Sequence, residues 1–213
     1  MSSPWLDVPL ADYEAHMGSP EVRQLAALAD LFAEALEICR PASVAILGIA
    51  GGNGLDRIDA NLTHRVVGVD INPSYLDIVR HRYPQIPGLE LHCLDLAGEL
   101  PRLDPVDLVH AALLLEHTGA GRCLDNALAL VAPGGHLSLV LQNPSESLQP
   151  VTPSACASIQ NLKSRFSLIS AAGLADALEQ RGFSRIHHRT LPLASGKSFW
   201  MGVFQRARSA PAP

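Results

Sequence analysis

The sequence predicts an α/β fold built on a doubly wound, mostly parallel sheet of seven strands with an antiparallel last strand. Short apolar runs alternate with amphipathic helical segments along the chain, which implies right-handed β-α-β crossovers and a sheet covered on both faces. The final two runs are separated only by residues 191–196. This loop is too short for a crossover, so the last two strands should form an antiparallel hairpin.

The composition fits one globular domain in the cytoplasm. The 213 residues are 47% apolar and carry a net charge of −5, and the basic residues are scattered, which argues against a nucleic-acid surface. No apolar run approaches the length of a membrane span, and the N-terminus lacks the regions of a signal peptide. The four cysteines form no Cys-x-x-Cys pair, so they are interpreted as reduced thiols.

The first elements follow from the apolar spacing. Residues 10–39 carry apolar side chains three and four positions apart and predict a helix that ends before Pro41. Residues 43–49 are nearly all apolar, as expected for a strand buried on both faces. Residues 51–54, three of which are glycines, form a turn, and residues 55–61 are expected to open a helix.

The same alternation continues to residue 205. Further strands are predicted at 65–69, 89–94, 106–112, 136–141, 184–190 and 198–205, and further helices at 73–83, 121–131 and 170–181. Asn72 is the expected cap of the helix that begins with Pro73. A turn at 132–135 precedes the fifth strand, His110 is expected to be a hydrogen-bonded core histidine, and the tail 208–213 is expected to be disordered.

The turn after the first strand is the first candidate binding element. Its glycines allow a tight bend and a close approach of a ligand to the backbone, where the amide groups that follow can point at the ligand. Neither the Gly-x-Gly-x-x-Gly fingerprint nor a phosphate loop fits in any register. Taken alone, the turn could still be a simple strand-to-helix connection.

Two acidic residues follow the next strands. Asp70 ends the second strand, where a carboxylate can accept hydrogen bonds from both hydroxyls of a ribose; a helix cap is the alternative role. Asp95 follows the third strand and could accept a hydrogen bond from an adenine amino group or cap the loop.

These segments, in order and spacing, resemble the motifs of the class I S-adenosylmethionine-dependent methyltransferases. The resemblance is carried by residues 44–54, 66–70, 91–95, 106–117 and 130–135, and it covers about 41–205. It implies a Rossmann-like sheet and S-adenosylmethionine as cofactor, with the ribose on Asp70 and the adenine between Ile71 and the segment of Asp95 and Leu96. The methionine part would lie over the turn, whose residues are Gly48, Ala50, Gly51, Gly52, Asn53 and Gly54.

The sequence departs from the family at two positions of the turn. Gly48 replaces the usual acidic residue of the first strand, and Ala50 replaces the usual first glycine. The orientation of the cofactor's amino group, which the acidic residue commonly assists, would then pass to backbone carbonyls, water or another side chain.

The acceptor side of the cleft offers three candidate catalytic residues. His117, after the fourth strand, is expected to be a general base or a wall of the site, or else a structural residue at the start of a helix. Tyr13 and His16 lie three apart on one helical face and could contact the cofactor carboxylate or the acceptor, or belong to a surface helix. The N-terminal segment 1–40 and the irregular stretch 143–166 are both candidate lids, over a cofactor domain at 41–207.

The sequence therefore predicts methyl transfer, in line with the bond between sulfur and the methyl group, to a small molecule of unknown identity. No metal site and no Asn-Pro-Pro-Tyr motif for amide or nucleobase acceptors is visible, and homodimerisation is left open. Two alternatives remain: a non-catalytic module that binds the cofactor, and, with less support, a nicotinamide-dependent oxidoreductase.

Overall fold

The computed structural model describes residues 3–86, 88–98, 102–154 and 156–208, so most of the tail predicted at 208–213 lies outside the described residues. The strands are β1 (Ser43–Leu47), β2 (Arg65–Asp70), β3 (Leu89–Cys93), β4 (Val106–Ala112), β5 (Val131–Gln142), β6 (Phe183–Pro192) and β7 (Ser198–Arg206). The helices are α1 (Leu10–Gly18), α2 (Gln24–Cys39), α3 (Pro73–Arg82), α4 (Leu115–Thr118), α5 (Arg122–Ala129), α6 (Ala157–Gln160) and α7 (Ala171–Glu179).

The strands form one sheet in the order β3-β2-β1-β4-β5-β7-β6. The pairs among β1 to β5 are parallel, whereas β7 runs antiparallel to both of its neighbours, β5 and β6. The predicted fold class and the terminal hairpin are confirmed. Because the parallel strands all point the same way, their carboxyl ends share one edge of the sheet, where ligands bind in open α/β folds.

Two apolar layers cover the faces of the sheet. Val44 and Ile46 of β1 point into a cluster that includes Phe32 of α2 and Val79 of α3. The alternate residues of the same strand point into the opposite cluster, which contains side chains of α5 and α7. Since successive side chains of a strand point to opposite faces, the nearly continuous apolar run of β1 reflects burial on both sides.

The predicted single helix over residues 10–39 is wrong in one respect, because two helices occupy this stretch. Pro20 follows Ser19, whose backbone is extended (φ −60°, ψ 154°) after the end of α1. The ring of a proline disfavours the helical conformation of the residue before it, which explains the break. The chain re-enters a helix through Arg23 in the left-handed region (φ 49°).

Two other expectations also need correction. The helix expected over residues 55–61 is only a 3₁₀ turn, Leu55–Arg57, and it is followed by Asp59, whose carboxylate accepts the backbone N–H of Asn61 at 2.9 Å. Such local side-chain bonds compete with helical ones.

The turn expected at 132–135 is instead a bulge within β5. Val131 pairs with Val106 of β4 and His136 pairs with Leu108, so five steps along β5 match only two steps along β4.

Candidate functional site

A cavity of about 300 Å³ opens at the carboxyl edge of the sheet. Its floor is formed by residues at or just after the ends of β1, β2, β4 and β5. Its walls come from the N-terminal residues through α1, from the segment that follows β3, and from residues 150–166. The volume is at the lower end of the range found for small-molecule sites.

At the carboxyl end of β1, the floor of the cavity contains two residues with a left-handed backbone conformation. Gly48 and Ala50 both line the cavity, and both have a positive φ, +71° and +46° respectively. A Cβ on Gly48 would lie 3.2 Å from Leu114 Cδ1, so a larger side chain at this position would be both strained and crowded. The backbone conformation at position 48 therefore favours glycine over an acidic residue.

The other four turn residues proposed for the cofactor lie behind the cavity wall, where they pack against protein. A Cβ on Gly52 would come within 2.6 Å of the Tyr83 ring, and one on Gly54 within 3.0 Å of Phe32. Gly51 faces the side chains of Glu14 and Arg82. Asn53 donates its side-chain N–H to Leu25 O at 2.9 Å. These glycines are required for close packing of the turn.

Asp70 links the ends of two neighbouring strands. Its Oδ2 accepts the N–H of Ala50 and its Oδ1 accepts the N–H of Asn72, both at 2.9 Å. The side chain is 8% exposed and lines the cavity. Burial raises the pKa of this carboxyl, while the backbone N–H bonds act in the opposite direction. The N–H of Ile71 also acts on this carboxylate. Because a carboxylate has room for about four hydrogen bonds, the side chain can still accept a hydrogen bond from a ligand.

The segment after β3 forms the wall beside Asp70. Asp95, Leu96 and Ile71 all line the cavity. Asp95 Oδ1 accepts the N–H of Ala97 at 2.9 Å, so this carboxylate caps the loop while still facing the cavity. Asn126 Nδ2 donates to Leu96 O at 2.9 Å and fixes the loop from below.

Asn72 joins this region to α3 and to the N-terminal segment. Its side chain accepts the N–H of Ser74 at 3.0 Å, which confirms the predicted cap. The same side chain donates to Trp5 O at 2.9 Å.

His117 stands on α4 at the opposite wall. Its ring makes edge contacts with Trp5 and Phe166, at centroid distances of 4.9 and 5.0 Å. Burial lowers the pKa of this imidazole to about 4, so the ring is uncharged near neutral pH. Among the described residues, no group hydrogen-bonds to its Nδ1.

Tyr13 and His16 extend from α1 and line the same cavity. Burial raises the pKa of the Tyr13 phenol, and the charges of Asp70 and Glu14 raise it further, so the hydroxyl keeps its proton. Burial lowers the pKa of His16, with a smaller contribution from the charge of Lys197. The structure therefore places all three candidate catalytic residues around one cavity.

Two neighbouring residues have roles away from the cavity. Glu116 is 1% exposed, its Oε1 accepts the N–H of Gln142 at 2.8 Å, and burial raises its pKa to about 7. It thereby joins α4 to the end of β5. His110 lies buried within β4 with its Nδ1 at 3.0 Å from Ser138 Oγ, which confirms the predicted core histidine.

The N-terminal segment is held over the cavity by polar contacts with α3. Tyr75 Oη donates to Val8 O at 2.8 Å, and Arg82 forms an ion pair with Glu14. On the other side, Ser158 Oγ donates to Asp12 Oδ2 at 2.6 Å, which connects α1 to α6. Both stretches that the sequence suggested as lids thus meet above the same space.

Several residues of the wall were not foreseen from the sequence. They are Ser3, Trp5, Gln24, Gln142, Arg165, Phe166 and Lys197. Lys197 carried one signal, because it is one of only two lysines in the chain and immediately precedes the last strand. All of the others except Gln142 lie in the two stretches suggested as lids, but no local pattern singles them out as residues of the cavity wall.

Comparison with known proteins agrees with this architecture. Residues 47–137 match the methyltransferase domain family, whereas no curated protein matches the sequence. The N-methyltransferase NodS from Bradyrhizobium japonicum WM9, solved with S-adenosyl-L-homocysteine, superposes with a TM-score of 0.71 at 14% identity, over 95% of this chain and 96% of that one.

Two further solved structures have the same fold. The magnesium protoporphyrin IX methyltransferase ChlM from Synechocystis PCC 6803 gives a TM-score of 0.69 at 14% identity, with 92% of this chain and 94% of that chain covered. The [4+2]-cyclase SpnF gives 0.66 at 12% identity, with 93% and 96% covered. At such identities the likeness shows the fold alone.

The sheet order and the cavity at its carboxyl edge define a Rossmann-like α/β protein with a ligand site at the ends of its parallel strands. The domain match over residues 47–137 includes the cavity residues from Gly48 to Thr118, so this part of the chain is similar to a methyltransferase domain. Within the described residues, none of the helices has both the length and the apolar character needed to cross a bilayer.

Proposed function

We propose that this methyltransferase transfers the methyl group of S-adenosylmethionine to a small molecule bound in the cavity at the carboxyl edge. The observation that carries the proposal is the distribution of polar groups around this space. Asp70 and Asp95 lie at the carboxyl ends of β2 and β3. The uncharged His117 lies on α4, which follows β4.

The residues at the acidic end fit the nucleoside part of the cofactor. The Asp70 carboxylate lines the cavity and keeps acceptor capacity beyond its backbone bonds, which suits the hydroxyls of a ribose. Ile71 and Leu96 offer apolar contacts for an adenine ring, and Asp95 can accept a bond from its amino group. Tyr13, whose phenol keeps its proton, would donate a hydrogen bond at this end.

His117 is the group best suited to assist an acceptor. The sulfonium supplies the reactive methyl, so the protein's task is to align the acceptor with it and, where the acceptor carries a proton, to remove that proton. A neutral imidazole with an unused Nδ1 can accept a proton or a hydrogen bond. His16 is a second candidate for this role, because burial also lowers the pKa of its imidazole.

The two lids would exclude water during transfer. Trp5 on the N-terminal segment and Phe166 at the end of the 143–166 stretch contact His117 from two sides. In this proposal, residues 1–40 act as a cap over a cofactor domain at 41–207, and opening would require separation of Ser158 from Asp12. The domain division and homodimerisation stay predictions.

The alternative of a non-catalytic module is favoured by one observation. Gly48 and Ala50 remove two of the family's usual features from the cofactor turn, and SpnF shows that this fold occurs in a protein described as a [4+2]-cyclase. Such a module would bind the cofactor without transferring its methyl group.

Calorimetry and a methyl-release assay separate these functions. S-Adenosylmethionine should bind with micromolar affinity while NAD does not, and a panel of small amines, acids and phenols should contain at least one acceptor. Binding of NAD without S-adenosylmethionine would contradict the proposal. Cofactor binding with no turnover on any acceptor would favour the non-catalytic module.

A further inference from the structure

Lys197 is a buried cation on the cavity wall with spare hydrogen-bonding capacity. The residue is 6% exposed and lines the cavity. Its Nζ donates to Pro150 O at 2.7 Å, whereas an ammonium group has three N–H donors. Among the described residues, no carboxylate lies within 4 Å of Nζ. A buried charge without a counter-ion is costly, and burial lowers the pKa of this ammonium. A ligand anion would stabilise its charged form and complete the site.

The position of Lys197 in the sheet separates it from the cofactor end. It immediately precedes β7, and β4 and β5 lie between β7 and β1 in the sheet order. With neighbouring strands about 4.8 Å apart, β7 lies about 14 Å from β1 and farther still from Asp70 at the end of β2. The cation therefore faces the half of the cavity that the nucleoside does not occupy.

The surroundings of Lys197 are suited to a carboxylate. Arg165 brings a second positive charge to the same cavity, and His16 also lines it. Gln142 Nε2 donates to the same carbonyl, Pro150 O, at 2.9 Å, so this carbonyl orients both side chains. The acids of the cavity wall, Asp70 and Asp95, lie at the other end.

We propose that Lys197 binds a carboxylate of the methyl acceptor, and that the acceptor is a small organic acid whose nucleophilic atom is separate from that carboxylate. The assignment rests on the proposed methyltransferase function. The methionine carboxylate of the cofactor has the same chemistry, and the position of Lys197 three strands from the turn favours the acceptor as the source.

The test compares acids with their neutral amides on the enzyme saturated with S-adenosyl-L-homocysteine. Salicylate and salicylamide, anthranilate and anthranilamide, and 4-hydroxybenzoate and 4-hydroxybenzamide are matched pairs that differ in the charge of one group. Calorimetry should show at least one acid binding about tenfold or more tightly than its amide, as expected for hydrogen bonds to a charged group. Wild-type protein alone is sufficient for this comparison.

The variant Lys197→Met should remove the preference for the acid, whereas Lys197→Arg should retain part of it. Lys163→Met is the matched control, because Lys163 is the other lysine of the chain and does not line the cavity. It should leave the preference unchanged. Thermal melting of each variant would establish that it is folded.

The outcomes distinguish the possible failures. If no acid binds more tightly than its amide, Lys197 is not a carboxylate site for the acceptor, even though the cofactor binds. If Lys197→Met weakens S-adenosyl-L-homocysteine but not 5′-methylthioadenosine, which lacks the methionine carboxylate, the residue serves the cofactor instead. If the wild type binds neither of these two nucleosides, the proposed methyltransferase function itself fails.

Discussion

Polar side chains at the amino edge of the sheet differ in their hydrogen bonding from those at the carboxyl edge. At the amino edge, Asp107 Oδ2 accepts the N–H groups of Ala42 and Ser43 and the hydroxyl of Ser43, at 2.9 to 3.1 Å. Thr63 Oγ1 donates to Pro41 O at 2.7 Å. These side chains tie loops to strands.

At the carboxyl edge, the polar groups are only partly bonded. The Asp70 carboxylate accepts backbone N–H groups and also faces the cavity. In the part of the chain that the structure describes, His117 Nδ1 has no partner, and Lys197 bonds to a single carbonyl. Since buried polar groups are normally satisfied, the difference marks the edge at which a ligand is expected to complete the hydrogen bonding. Carboxylates with similar backbone bonds can thus stabilise the fold at one edge and bind a ligand at the other.

The largest expected effect is on cofactor affinity and distinguishes Asp70, at the carboxyl edge, from Asp107, at the amino edge. Asp70→Ala should weaken binding of S-adenosyl-L-homocysteine roughly 1000-fold, since two hydrogen bonds to a charged acceptor are worth about 2 kcal/mol each. Asp107→Ala should lower the melting temperature but leave this affinity within about twofold, because its backbone bonds lie at the far edge. Calorimetry on both variants would make the measurement. Equal losses of affinity in the two variants would show that Asp70 has no specific role in cofactor binding.

A smaller effect is expected for His117 and is compared with that for the buried His110. His117→Gln should lower kcat about 100-fold, as for loss of a general base, while cofactor affinity is retained. His110→Gln, at the buried histidine already bonded to Ser138, should lower stability without this loss of kcat. Steady-state kinetics with an acceptor from the methyl-release assay would decide. Because the pKa of His117 is about 4, its contribution should be constant from about pH 6 to 8 and fall only in more acid solution. An unchanged kcat in His117→Gln would show that His117 is not the general base.

The smallest expected effect concerns Glu116, whose Oε2 has no partner among the described residues and which does not line the cavity. Its pKa is about 7 in the folded protein against an ordinary value of 4.5. Between these values the folded state binds the additional proton, so its stability falls as the pH rises.

Glu116→Gln removes this titration and should be more stable than the wild type by about 2 kcal/mol at pH 8, after allowance for an unpaired amide. At pH 4 the advantage should disappear. Urea unfolding at both pH values measures the difference, and an equal effect at the two values would show that Glu116 does not titrate in this way.

The sequence was sufficient where a local pattern determines the structure. The apolar run of β1, the Asn72–Pro73 helix start and the short connection to β7 each appear as predicted, because burial on both faces, capping and loop length are local constraints. Asp70 could be located for the same reason, since it follows directly from the end of a buried strand.

The features that the sequence did not predict have two causes. Some residues oppose the structure that the apolar spacing favours, and other residues meet only through long-range contacts. Pro20 interrupts a run whose apolar spacing is otherwise helical, and Asp59 ends a helix that the spacing after Gly54 suggested. Trp5 and Lys197 meet the cavity from opposite ends of the chain. No window of sequence contains both, so their shared environment could be found only from the folded structure.

The place of β7 between β5 and β6 has a consequence for how the protein is made. A ribosome releases β5 and β6 before β7, so the sheet remains divided until the strand that ends at Arg206 has emerged and inserted between them. Lys197 arrives with that same strand. The strands that carry Asp70 and Gly48 can therefore pair early, whereas the opposite end of the cavity is completed only after β7 has emerged.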